Sequence, residues 1–370
     1  MRLRSIVLFV LCCMSCVAHA SMPVEKLVTR LQVPPGFTVT LYAGNVPNAR
    51  EMAWGDHGTL FVGSFEVGKV YALRDDHHDG RARSVRVIAS GLRMPVGVAF
   101  RNGSLYVSAV DRILRFDDIE ARLDAPPKPV VVVSDLPGEA HHGWRYLAFG
   151  PDGKLYVPIG APCNVCDKPG YAKLIRMNPD GSKREDVALG IRNTVGFSWS
   201  PVTGKLWFTD NGRDSMGDDV PDDKLNVVTG PLQHFGFPYC HGGDVLDPEF
   251  GKGKSCHDYM PPAAKMGAHV ANLGIAFYTG KAFPAAYRNN AFIAEHGSWD
   301  RSSKVGYRVV RVEIDGDKVL RVTPFLTGFL DGQTTLGRPV AVINAPDGSL
   351  LVSDDFEGAI YRITYKGVPR

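Results

Sequence analysis

The sequence has little that would take the chain into a membrane or onto nucleic acid. Beyond one run near its amino end, from Ile6 to Val17, no stretch is both apolar and close to the ~20 residues needed to cross a bilayer. Membrane insertion is therefore not expected. An excess of charge of one sign is also missing. Lys and Arg number 42 against 39 Asp and Glu, a net +3, and residues 1–20 carry Arg2 and Arg4 but no acid, so the remainder stands at +1. A balance this even excludes nucleic acid held by bulk charge, and any bound anion must be gripped by local Arg or Lys. Sustained helical periodicity is almost absent, confined to short segments at residues 24–33 and 117–123.

Cysteine is scarce, with seven in the chain, and three of them (Cys12, Cys13, Cys16) fall within residues 1–20. That segment runs basic, then apolar, then Ala18-His19-Ala20, the order of a cleaved signal peptide. The mature chain is expected to begin at Ser21, as one domain over residues 21–370, and to be periplasmic or secreted. A lipid anchor on Cys16 is disfavoured, because Cys13 stands three places before it where an aliphatic residue is usual. Cys163, Cys166, Cys240 and Cys256 remain, an even number for an oxidising compartment, and two disulfides are expected. Proximity favours Cys163–Cys166 and Cys240–Cys256, although four cysteines allow three connectivities. Asp167 follows Cys166 where a c-type haem would need His, which argues against haem attachment.

What is present is a repeat. A glycine turn leads into a short strand at His57-Gly58-Thr-Leu-Phe-Val, Asn102-Gly103-Ser-Leu-Tyr-Val, Asp152-Gly153-Lys-Leu-Tyr-Val, Thr203-Gly204-Lys-Leu-Trp-Phe and Asp347-Gly348-Ser-Leu-Leu-Val. The glycines are spaced by 45, 50 and 51 residues, then by 144, and Arg288-Asn289-Asn290-Ala-Phe-Ile supplies a degenerate copy in the long gap. Six units of this period, each followed by a second strand, predict an all-β fold, a six-bladed β-propeller of four-stranded antiparallel blades. Each blade buries its faces only against its neighbours, so the ring must close. The segment around Thr38 to Tyr42 is expected to complete the blade that carries Ile360 to Tyr365. The segment Pro231 to Ala268, rich in Gly, Pro and Cys, is expected to be a long loop over one face.

Polar groups cluster just ahead of several strands, where the propeller axis opens. His142, in His141-His142-Gly143-Trp144-Arg145, is placed there, and an imidazole near its working pKa can take a proton from a hydroxyl. A lone loop histidine more often serves only as a hydrogen-bonding group. Arg192 and Asn193, in Gly190-Ile191-Arg192-Asn193, bring a guanidinium and an amide to the same opening, where the guanidinium suits a carboxylate, or else an inter-blade ion pair. The stretch Asp210-Asn211-Gly212-Arg213-Asp214 to Asp222-Asp223 crowds hard oxygen ligands in a way that suits Ca²⁺, or a solvated acidic loop. Glu295-His296-Gly297-Ser298-Trp299-Asp300-Arg301 and Gly337-Arg338-Pro339 add charge at equivalent blade positions.

Taken in order, His142-x-x-Arg-x-Leu-x-Phe-Gly-Pro-Asp-Gly, Gly190-x-Arg192-Asn193-x-x-Gly196, Asp210-Asn211-Gly212, Glu295-His296-Gly297-Ser298-Trp299 and Arg338 resemble the glucose/sorbosone dehydrogenase family, which includes the soluble aldose sugar dehydrogenases. The resemblance spans about Leu31 to Tyr365 and implies a six-bladed propeller that oxidises an aldose or sugar aldehyde with pyrroloquinoline quinone (PQQ) and Ca²⁺. Carried over motif by motif, it makes His142 the general base and Arg192 the stabiliser of developing negative charge. Asn193 and Arg338 become cofactor ligands, with Lys304 or Arg301 standing nearest to the family's cofactor-binding lysine. The main-chain carbonyls of Gly212 and Arg213 become calcium ligands. An unidentified electron acceptor is implied as a partner beside the sugar. Three positions depart from the pattern: Val195 where Gln is usual, Arg213 where Pro is usual, and Val340 where a second Arg would follow Arg338. Two other functions share the fold. A calcium-dependent lactonase would draw carboxylates from several blades to an axial metal, and a non-catalytic carbohydrate- or protein-binding propeller would keep the fold without the cofactor.

Overall fold

The structure, a computed structural model, describes residues 23–367. The expected signal peptide lies outside the described residues. The short period of the sequence becomes six four-stranded antiparallel sheets, over residues 49–89, 98–133, 148–189, 197–268, 272–326 and 339–365, the last completed by Phe37–Ala43. Second strands such as Leu60–Ser64, Leu155–Ile159 and Leu350–Asp354 are buried at every position, as strands sandwiched on both faces must be. The predicted helical segments shrink to a five-residue helix, Val24–Val28, and a 3₁₀ turn, Ile119–Arg122. Among the described residues no helix is long and apolar enough to cross a membrane.

Ring closure joins the two expected segments. Thr38 pairs with Thr364 and Leu41 with Tyr361, antiparallel, so the first strand of the fold is the outer strand of the last blade. Phe37 anchors it, packing edge-on against Phe283, Tyr287 and Phe325 with ring centroids 4.8, 4.9 and 5.2 Å away. Toward the axis the blades are stitched by hydroxyls. Thr209 Oγ1 donates to the Leu273 carbonyl (2.6 Å), joining blades four and five, and Ser353 Oγ to the Arg50 carbonyl (2.7 Å), joining six and one.

The segment 231–268 is more than a loop. It adds a two-residue strand, Gln233–His234, parallel to the edge of blade three, then a small hairpin, and it ends in Ala264–Ala268, the outer strand of blade four. Low hydrophobicity hid that strand, because an outer strand has one solvated face. Both disulfides follow the pairing that proximity favoured, Cys163–Cys166 and Cys240–Cys256.

If Phe37 carries the closure, Phe37→Ala should destabilise the protein by about 3–5 kcal/mol, the range for a buried aromatic truncation, read as a lowered thermal midpoint. A midpoint within about one degree of the parent would place the closure energy elsewhere.

Candidate functional site

The innermost strand of each blade must be entered from one end of the axis, and the entering segments meet there. A cavity of about 570 Å³ opens at this point. Each blade contributes to its wall: Arg50, Met94, His142, Arg192, Ala271 and Arg338, in blade order. Its base is apolar. Val195, Leu273 and Val340 form one buried cluster with Trp144 packed on it. Two of the departures from the family pattern, Val195 and Val340, are thus neighbours in one apolar contact.

His142 is buried and held in a left-handed backbone conformation (φ 50°), a strained choice for a residue with a Cβ. Two features hold it there. The fully buried Arg145 donates from Nε to the Val110 carbonyl (2.9 Å) and from Nη2 to the Pro137 carbonyl (2.7 Å), with a longer bond from Nη1 to the His142 carbonyl (3.4 Å). Gly160 lies against the histidine so closely that an added Cβ would stand 2.7 Å from His142 Cβ. The ring places Nδ1 2.7 Å from the Ala161 carbonyl. A carbonyl only accepts, so Nδ1 carries the hydrogen and Nε2 keeps a free lone pair. Burial first, then the positive charge of Arg192, pull the imidazole well below its usual pKa. The ring is neutral at neutral pH, as a base must be.

Arg192 is buried beside it. Its guanidinium donates from Nε to the Asn164 carbonyl (2.8 Å) and from Nη2 to Asn164 Oδ1 and Asp214 Oδ2 (both 2.8 Å). Asn193 gives its backbone N–H to Asp210 Oδ1 (2.8 Å), while its own Oδ1 is buried without a partner. Asp223 accepts the N–H groups of Gly212 (2.6 Å) and Ala271 (2.7 Å), and burial pushes its carboxyl up to about 7. Gly212 lies on the cavity wall, whereas the Arg213 side chain turns to Asp247, which also meets His241 Nε2 at 2.8 Å.

Across the cavity Arg338 donates to the carbonyls of His296 (3.1 Å) and Gly297 (2.6 Å). Arg50, which the sequence analysis passed over, ion-pairs with Asp355 (2.7 Å) and lies over the Trp144 ring, and its Nε is buried without a partner. Asp355 also holds His296 Nε2 (2.9 Å), and burial takes that imidazole down to about 4. Arg301 and Lys304, by contrast, are not brought to this cavity. Arg301 is spent on Asp218 and Asp219 of the acidic loop, and Lys304 donates to Thr335 Oγ1 (2.9 Å). Both lie in the connection between the strands Ala291–Glu295 and Arg308–Asp315, outside the cavity lining.

At the rim, Trp299 is 74% exposed although it borders the opening. Asp214, His269 and Asp300 also meet there, with ligand-type atoms within 4.8 Å of one another. Asp214 is already engaged by Arg192, and Asp300 by the Ser215 N–H (2.7 Å). Among the described residues this rim trio is the one group of three or more potential metal ligands, and an axial-metal lactonase would need its carboxylates on the axis.

The fold and this cavity have counterparts. In structure, a family AA12 carbohydrate-active enzyme of Trichoderma reesei matches with a TM-score of 0.79 at 20% identity, over 90% of this chain and 97% of that one. The PQQ domain of pyranose dehydrogenase from Coprinopsis cinerea matches at 0.75 and 19%, over 90% and 97%, and the PQQ-bound aldose sugar dehydrogenase of Streptomyces coelicolor at 0.63 and 19%, over 90% and 99%. At such identities the likeness is one of fold, and it is to the quinoprotein sugar dehydrogenases whose motifs the sequence resembles. In sequence, an uncharacterized protein of Borreliella burgdorferi is 34% identical over 368 residues, 95% of each chain. The model of a domain of unknown function, DUF7133, matches residues 23–363, and the chain belongs to that family.

Proposed function

We propose that this protein is a PQQ-dependent dehydrogenase that oxidises an aldose or a sorbosone-like sugar aldehyde and passes the electrons to a separate acceptor. The observation that carries the reading is the meeting, in one cavity, of a neutral imidazole with a free Nε2, a buried guanidinium and an amide oxygen without a partner. The cavity residues also fit the quinone. An apolar base suits a flat ring system, the guanidinium groups of Arg50 and Arg338 on the wall suit anionic oxygens, and Asn193 Oδ1, an acceptor without a partner, suits an N–H of the ring system. Gly212 and Arg213 would hold Ca²⁺ through main-chain carbonyls, since the carboxylate of Asp223 is committed to two amides.

When bound, the quinone supplies the hydride acceptor, chemistry that no side chain provides. His142 Nε2 takes the proton of the C1 hydroxyl, and the Nδ1–H bond to Ala161 keeps the ring oriented as it does so. Arg192 sets a fixed positive charge in a desolvated site, where it acts on developing negative charge without reorganising. Trp299 offers a flat apolar face at the entrance, on which the C–H face of a sugar can rest. The two disulfides suit export to the periplasm or beyond.

His142→Gln should lower kcat by about 10²- to 10⁴-fold in the reconstituted enzyme, with quinone affinity measured by absorbance titration held within about threefold. A variant that keeps more than half of wild-type turnover would remove His142 from the chemistry. The pH profile tests the protonation state. Because the folded pKa lies below 6.5 and the base is the neutral form, kcat/KM should be flat from about pH 6.5 upward and fall only on the acid side. A midpoint at or above 6.5 would contradict the burial argument. Arg50→Met should weaken quinone binding by about tenfold or more, the loss of one charge-assisted contact, in a titration of the apo protein; unchanged affinity would show that Arg50 serves only the Asp355 network.

A further inference from the structure

Arg192 gives two of its hydrogen bonds to a single residue. Nε donates to the main-chain carbonyl of Asn164 and Nη2 to its side-chain Oδ1, both at 2.8 Å. A guanidinium held by two different atoms of one residue follows that residue's backbone wherever it goes. Asn164 is tied in turn to the other partner of Arg192. The Asp214 N–H donates to Asn164 Oδ1 (2.8 Å), and Asn164 Nδ2 donates to the Asp214 carbonyl (3.1 Å). Arg192, Asp214 and Asn164 form a closed triangle, and its loose corner is Asn164. That residue lies in the connection between the strands Leu155–Ile159 and Lys173–Met177, which contains no helix or strand. What fixes its backbone is the ring closed around it, since Asn164 sits between Cys163 and Cys166 and these two are bonded.

We propose that the Cys163–Cys166 ring is a strap that positions Arg192 through Asn164, and that opening it with a dithiol releases the guanidinium and slows the enzyme. Asn164 is a positioning residue here, acting through Arg192. The part of the claim that concerns turnover rests on the dehydrogenase reading, and the part that concerns Arg192 does not. The chemistry is thiol–disulfide exchange. One thiolate of the dithiol attacks a sulfur of the pair, breaking its S–S bond, forming a mixed disulfide and expelling the other cysteine as thiolate. The second thiol of the reagent then displaces the first cysteine. The protein gains two electrons and two protons and the dithiol becomes a cyclic disulfide. Access is open on the outer side, where Cys166 borders a surface cleft of about 190 Å³ with Lys168, Pro169 and Tyr239. The second disulfide is less approachable, because Cys240 is buried. A chain whose strap is still reduced therefore has its guanidinium unset, and oxidation after export completes the site.

The test uses the full mature chain, with ¹⁵N-labelled arginine and the Arg192 signal assigned from Arg192→Lys. In the oxidised protein the Arg192 Nε–H is held by a carbonyl and should exchange slowly with solvent. Selective reduction by dithiothreitol, verified by mass spectrometry, should speed that exchange by about tenfold or more, as should the double variant Cys163→Ser/Cys166→Ser, whereas Asn164→Ala, which keeps the main-chain acceptor and loses Oδ1, should speed exchange of the Nη2 protons. In quinone-loaded enzyme the same three changes should lower kcat by about 10- to 100-fold, with KM and the thermal midpoint nearly unchanged. Asn164→Asp, which keeps both acceptors, should restore slow exchange. Exchange that is indifferent to the strap would overturn the proposal, as would a kcat that falls only in step with the thermal midpoint. If the wild-type protein oxidises no sugar at all, the dehydrogenase reading fails, while the exchange rates still decide whether the strap holds Arg192.

Discussion

The antiparallel pairing of Phe37–Ala43 with Ala359–Tyr365 ties the two ends of the fold into one blade, and the other five blades depend on it. Each sheet is apolar on both faces and can bury them only against a neighbour, so an open ring would leave two faces wet. Closure also fixes where polar groups can go. Between packed sheets there is no room for an unpaired charge, and the ends of the innermost strands are where the chain can turn polar side chains inward without breaking a ladder. The cavity is a consequence of that geometry, and its walls come from six separate segments of sequence.

Desolvation at this opening sets the chemistry. It holds His142 and His296 neutral, and it makes each buried arginine require a partner: Asp214 for Arg192, Asp355 for Arg50, carbonyl oxygens for Arg338. Rigid donors in a dry site are the arrangement from which electrostatic catalysis draws most. Asn193 Oδ1, Arg50 Nε and Trp144 Nε1 are buried without a partner, and all three residues belong to the cavity wall.

Much of the fold was legible because its signals are local. The Gly153 turn adopts φ 77°, the left-handed region that an Asp-Gly pair is suited to, and its four glycine counterparts and Asn289 (φ 61°) of the degenerate copy do the same, so counting turns counted blades. His142, Arg192, Asn193 and Arg338 were legible through motif order, and they do line one cavity. Arg50 was not, because Ala49-Arg50-Glu51-Met52 carries no motif and its role depends on Asp355, 305 residues away. Arg301 and Lys304 lie outside that lining, because spacing along the chain says nothing about which way a loop carries a side chain. The outer strand Ala264–Ala268 escaped notice because half-solvated strands lack the apolar run that marks inner ones. Asn164 had no signal beyond its place between two cysteines.

The central claim is that this cavity binds pyrroloquinoline quinone and uses it on a sugar. The most direct test is dye-linked oxidation of a panel of aldoses and aldosuloses by the purified apo chain with Ca²⁺, before and after one equivalent of the quinone. The account predicts no turnover before addition and stoichiometric activation after it. A chain that neither binds the quinone nor reduces the dye with any sugar would contradict it, and would leave a propeller that keeps this cavity for binding alone.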